Sequence, residues 1–293
     1  MNTFAEARHG GSLQLERHSP AHSKARLAGG TAFASLVGSL LLLTPGTALA
    51  ADECGAATNG TVTCTAAGNP YAAGITYAQP DSLTVNTAPD VVVSGPVSIS
   101  GAGSNQFNNA GTVSTASNYT NAVNVTGDGG ATVSSTGALS TSGNFGNVVR
   151  AASDNDVNVS TGTVTNTGAG GRGIGAYSRN GVAQVTTTGL TSTQGFGAVG
   201  IITSGRDTTI NTAGVSTVGG SSGGVNASAA NNATVTVSGP ITTQGAGSIG
   251  VTAFGTNVTT VNNGSIATAG DNAFGLNLSG ATVTASGPGS IST

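Results

Sequence analysis

Apolar residues recur along this chain at a fixed long period, with short alternating runs inside each period. Taking the first apolar position of each unit as an anchor, anchors fall at Phe107, Val133, Val159, Val185, Ile210, Val235, Val261 and Val283. The gaps between them are 26, 26, 26, 25, 25, 26 and 22 residues. A second apolar position follows at Val113, Leu139, Val164, Leu190, Val215, Ile241 and Ile266, and a third at Val123, Val149, Ile174, Ile201, Val225, Val251 and Leu276. A constant period in this range is the signature of stacked repeats. Helical repeats need apolar residues at three- and four-residue spacing, and no unit offers that. Gly, Thr, Ser and Asn fill the intervals, and triplets such as Val199-Gly200-Ile201, Ile249-Gly250-Val251 and Phe274-Gly275-Leu276 alternate with period two. Thr and Val favour strands while Gly breaks helices. The expected fold is therefore all-β: a right-handed parallel β-helix with coils of about 25 residues and three short strands each. Seven or eight coils would run roughly 35–40 Å at strand spacing.

One coil cannot bury its own inner face. A buried Val or Ile contributes roughly 1.5–3 kcal/mol, whereas ordering backbone costs about 1–2 kcal/mol per residue. Stacking on both neighbours must make up the difference. A turn column supports such stacking: Asp128, Asn155, Asn180, Asp207, Asn232 and Asn257 all lie 21 or 22 residues after their anchors. Asn and Asp tolerate left-handed backbone and bond their own main chain, so a side-chain ladder is expected there.

Residues 1–50 differ from everything after them. Arg8, Arg17, Lys24 and Arg26 precede an uncharged stretch from Leu27 to Leu43, and Ala48-Leu49-Ala50 follows. A basic stretch, an apolar stretch and small residues at spacing two form a secretory signal peptide, with cleavage expected between Ala50 and Ala51. A transmembrane anchor is the rival reading, and three glycines in the apolar stretch count against it. Residues 51–90 are expected to form an N-terminal cap, in which Tyr71, Ile75 and Tyr77 cover the first coil. Residues 91–293 are expected to form the solenoid, which stops inside the unit begun at Val283 and so reads as C-terminally incomplete.

Charge narrows the chemistry. Beyond residue 50 the chain has four basic and nine acidic residues, a net charge of −5, which disfavours a nucleic-acid partner. All three histidines and the only lysine precede residue 51, leaving serine nucleophiles without a usual base. No cofactor or metal-ligand set is expected. Cys54 and Cys64 are the only cysteines. In an exported chain their expected state is a disulfide, and metal binding is the weaker reading without a third ligand. Thr126-Gly127-Asp128-Gly129-Gly130 reads as a turn. The one concentration of charge is Asp154-Asn155-Asp156 with Arg150, Arg179, Arg206 and Asp207. Coil spacing would let Asp154 meet Arg179, and Arg179 meet Asp207. An exposed charge ladder is the plain reading, and a sugar or calcium site the sharper one.

The signal peptide, the Cys54–Cys64 element running into Asn69-Pro70-Tyr71-Ala72-Ala73-Gly74-Ile75-Thr76-Tyr77, and the Gly/Thr/Asn coils together resemble the N-terminal passenger region of a bacterial type V autotransporter of adhesin-like kind. That resemblance implies a surface-exposed structural stalk or spacer, secreted or held at the outer membrane of a Gram-negative bacterium. It also implies a translocation barrel, which this chain does not carry. Partners would be a host-cell, neighbour-cell or glycan surface, met through exposed aromatics such as Tyr119 and Tyr177. The alternative is a carbohydrate-active β-helix enzyme, lyase- or hydrolase-like, working at Asp154, Asp156 and Arg179.

Overall fold

The computed structural model describes residues 53–293. The expected signal peptide and the Ala50–Ala51 junction lie outside the described residues. The described chain is a parallel β-solenoid, and its only helix is a 3-10 turn at Ala66–Gly68. Sheet I has ten strands, from Thr61–Cys64 to Thr282–Ser286. Sheet II has nine, from Val92–Val93 to Ser290–Ser292, and sheet III nine, from Ile75–Gln79 to Phe274–Ser279. Every pairing between named strands is parallel and joins a strand to its counterpart one coil on, as at Val159↔Val185↔Ile210. Eight coils, the first beginning at Leu83 and the last at Asn257, have a strand in all three sheets.

The register is set by the ladders, and it corrects three readings of the apolar pattern. Following sheet I through Leu83, Asn105, Ala131, Val157, Ala183, Thr208, Ala233, Val258 and Val283, the spacing is 22, then 26 three times, then 25 four times. Val261 is not in the anchor column. Thr260 pairs with Val235 and is buried, while Val261 pairs with Thr236 and points outward. Likewise Val283 pairs with Val258, so the unit that ends there spans 25 residues and not 22. In sheet II, Thr191 takes the inward place between Val164 and Val215, and Leu190 is 45% exposed. In a pleated strand alternate residues face opposite ways, so one step in register reverses a side chain whatever its polarity. The third column, Val123 to Leu276, holds at every position.

The glycine triplets are the third correction. In Val199-Gly200-Ile201 the glycine and the isoleucine are buried, while the valine is only half-buried. Gly173, Gly200, Gly224, Gly250 and Gly275 form one column where sheet III passes close to sheet II. A Cβ on Gly224 would lie 2.4 Å from the Gly250 carbonyl oxygen and 2.7 Å from Ile241 Cγ2. Glycine is there because the neighbouring main chain and side chain already fill the volume.

The interior is not wholly apolar. At the turn from sheet I to sheet II, Thr87 Oγ1 donates to Asn109 Oδ1 at 2.7 Å, and Asn109 Nδ2 donates to Ser135 Oγ at 2.9 Å. Two coils further on, Thr187 and Thr212 hydroxyls meet at 3.1 Å. Threonine keeps a methyl for packing and a hydroxyl for such a ladder, so it fits a narrow core.

The stacking begins before Val91, inside the segment expected to act as a cap. Ile75 pairs with Val97, Tyr77 with Ile99, and Tyr71 bridges to Val93, so all three residues are inward members of a partial coil stacked on the one that begins at Leu83. The Cys54–Cys64 disulfide ties the preceding loop to the first strand of sheet I, with a Cα–Cα distance of 4.8 Å. Tyr77 Oη donates to the Gly55 carbonyl at 2.8 Å, which holds that loop over the open end.

Candidate functional site

The corner between sheets II and III is built the same way in seven consecutive coils. Four residues before each inward sheet III position the backbone turns left-handed: Tyr119, Phe145, Gly170, Gly197, Ser221, Gly247 and Asn272, with φ from 55° to 71°. The N–H at this bend donates to a carbonyl one coil on, as from Tyr119 to Asn144 and from Phe145 to Ala169, both at 2.8 Å. Gly and Asn enter this region readily; for other L-residues the cost is about 1–2 kcal/mol. Tyr119 and Phe145 are the two bulky occupants. Their rings stack with centroids 5.2 Å apart and planes 14° apart. They are 77% and 56% exposed, so no core packing rewards the strained corner. A Cβ on Gly170 would fall 2.7 Å from Phe145 Cδ1, which shows the ring leaning over the next coil.

The Asn residues before these aromatics are tied to the next coil. Asn118 Oδ1 accepts the Asn144 N–H at 2.8 Å, and Asn144 Oδ1 accepts the Ala169 N–H at 2.9 Å. Asn118 and Asn144 lie 26 residues apart, but the column has only these two members and ends at Ala169, too few to stand out in the sequence.

Beside the aromatic corner, the outer face of sheet III gathers charge. Arg150 Nη1 donates to Asn124 Oδ1 at 3.1 Å. The guanidinium carbons of Arg150 and Arg172 lie 5.9 Å and 6.0 Å from the Tyr177 ring centroid, within cation–π range. Arg172 Nη1 also donates to the Tyr177 hydroxyl. Among the described residues the ion pairs are Arg179–Asp154 at 3.0 Å and Arg206–Asp207 at 3.1 Å, so Arg150 and Arg172 have only neutral partners there. The Arg179–Asp207 contact allowed by the spacing is not made, since Asp207 binds its own neighbour Arg206. Two shallow depressions flank Tyr177 and Arg150. One of about 380 Å³ includes Tyr119, Asn124 and Arg150 in its wall. The other, of about 320 Å³, is walled by Tyr177, Asp128, Asp154 and Arg179.

The expected turn ladder is placed as follows. Asn232 Nδ2 donates to Asp207 Oδ1 at 2.6 Å and Asn257 Nδ2 to Asn232 Oδ1 at 3.0 Å, one above another. Asn155 Nδ2 reaches the Asp128 main-chain carbonyl at 2.9 Å rather than its side chain. Asn180 contacts Asp154 through its backbone N–H. Asp207 is in register with Val182, and the acceptor below Val182 is Asp156, whose Oδ1 takes the Val182 N–H at 2.9 Å. The amide hydrogen bonds of Asn232, followed by that of Arg206, hold the Asp207 carboxyl below its ordinary value of 3.8. Among the described residues no three His, Cys, Asp or Glu side chains are arranged to hold a metal ion. No protein-family model, curated protein or solved structure matches the chain.

Proposed function

We propose that this chain is an exported structural solenoid, an adhesin-like stalk or spacer of the autotransporter-passenger kind. The observation that carries this reading is the uninterrupted parallel register through three sheets, closed at its N-terminal end by a disulfide-tied loop. Such a body is stiff along its axis because each coil is bonded to both neighbours, and its long sides remain free for contact. The disulfide fits an oxidising compartment, and the 1–50 segment supplies the route there. The carbohydrate-active alternative would rest on Asp154 and Asp156. The first carboxylate pairs with Arg179 and the second caps the Val182 N–H, so both already have structural partners.

Expression of the full chain in a Gram-negative host tests the reading. The expected product begins at Ala51, carries oxidised Cys54 and Cys64, and is recovered outside the cytoplasm. An intact N-terminus with reduced cysteines in the cytoplasm would sink it. Turnover of an acidic polysaccharide that disappears in Asp154→Asn and Asp156→Asn would replace it with the enzyme.

A further inference from the structure

We infer that the outer face of sheet III between Tyr119 and Tyr177 binds an acidic glycan, a chain of pyranose rings bearing carboxylates. This deepens the adhesin-like reading and rests on it only for where the glycan would be met. Three independent features converge on this strip.

The first is the aromatic pair. Tyr119 and Phe145 occupy backbone that disfavours them and keep their rings in solvent. Unfavourable local geometry that yields exposed, ordered side chains marks a recognition surface. The two rings stack on one another and Phe145 leans over the Gly170 corner, so the pair offers a sugar the outer face of Tyr119 and the exposed ring edges, and the low rotamer freedom of both rings limits the entropy lost on binding.

The second is charge. Arg150 and Arg172 flank one tyrosine ring and are held by Asn124 and by Tyr177, all neutral groups. Two like charges brought to one ring repel, and an anion bridging them removes that repulsion while gaining charge-assisted hydrogen bonds. A guanidinium fork matches a carboxylate in geometry. The net charge of −5 beyond residue 50 disfavours a polyphosphate, which needs an extended basic surface, and leaves a sparsely charged polymer as the matching ligand.

The third is spacing. Tyr119, Phe145 and the Gly170 corner belong to successive coils, about 4.8 Å apart. That step is comparable to the length of one pyranose unit, so a glycan lying along the solenoid axis meets one coil per sugar. Tyr177 and the two arginines then face the carboxylates along one edge.

The test is calorimetric titration of the purified full chain with a hyaluronan hexasaccharide, in parallel with the same hexasaccharide reduced at its carboxylates. The charged form is expected to bind, with affinity falling as salt is raised. Arg150→Gln and Arg172→Gln should each weaken it about tenfold, the loss of one charge-assisted contact. Phe145→Gly should also weaken binding while keeping or raising the thermal midpoint, because glycine relaxes the left-handed corner. A merely structural phenylalanine would instead lose stability without changing affinity. Equal affinity for the charged and reduced sugars, affinity untouched by the arginine variants, or no binding of either sugar overturns the proposal. Each of these outcomes leaves the export test standing, since that test reads compartment and processing rather than affinity.

Discussion

The coils up to Val149 and those from Ile174 onward solve one packing problem in two ways. The position just before the inward sheet III residue holds Ala122 and then Val148, both fully buried. In the next five coils it holds Gly173, Gly200, Gly224, Gly250 and Gly275. On Gly200, Gly224 and Gly250 a Cβ would fall 2.2 Å from Val215 Cγ1, 2.7 Å from Ile241 Cγ2 and 2.5 Å from Ile266 Cγ2 in turn. The earlier coils fill the corner from sheet III itself. The later ones leave it empty on that side and fill it from sheet II. The same fold thus accepts opposite residue choices at one position, provided that the two sheets together supply the volume.

The sharpest way to break this contrast is Gly224→Val. Its Cβ meets main chain as well as Ile241, so the coil must open, and stability should fall by about 3 kcal/mol in chemical denaturation. Val148→Ala, at the equivalent earlier position, should cost about 2 kcal/mol for the two lost methyls and a small cavity. Comparable losses would mean that the corner is not closed differently in the two regions.

The N-terminal coils differ also in their covalent tie. Replacing Cys54 and Cys64 together with serine should cost about 2–3 kcal/mol on the loop-closure model. In a solenoid that loss is local, so hydrogen exchange should rise over Ile75–Gln79 and stay unchanged over Pro240–Gln244. Uniform acceleration along the axis would show that the coils unfold as one block.

Thr217 sharpens the comparison from the other side. It is fully buried, and its hydroxyl has no hydrogen-bond partner among the described residues. Thr217→Val removes an unpaired polar atom at nearly constant volume, and a gain of about 1 kcal/mol is expected from the denaturation midpoint. Thr187, whose hydroxyl meets that of Thr212, should lose stability on the same change.

The smallest effect belongs to Asp207. Its folded-state value is depressed, first by Asn232 and then by Arg206, so the stability it contributes is present above the ordinary value of 3.8 and is lost as pH falls through the folded value. Asp207→Asn should flatten the acid limb of a stability–pH curve and leave stability at neutral pH nearly unchanged, since exposed pairs contribute little. An unaltered acid limb would remove Asp207 from the titrating set.

Period and composition alone determined that the chain stacks into parallel coils, because a constant spacing of apolar residues rich in Val, Thr and Gly has few other ways to bury itself. The third column was legible from Val123 to Leu276, since every member is apolar. The anchor and second columns were misread where polarity and direction part company: Leu190 and Val261 point outward, while Thr191 and Thr260 lie inside. A threonine in a narrow core reads as surface in a sequence, and only pairing with the neighbouring coil decides which way it faces. The ring stack of Tyr119 and Phe145 and the meeting of Arg150 and Arg172 on Tyr177 were equally beyond sequence reading. Tyr119 meets Phe145 and Arg150 meets Tyr177 across coils, while Arg172 reaches Tyr177 within one strand. Proximity of that kind comes from the three-dimensional register, which hydrogen bonds between main chains impose irrespective of the side chains they carry.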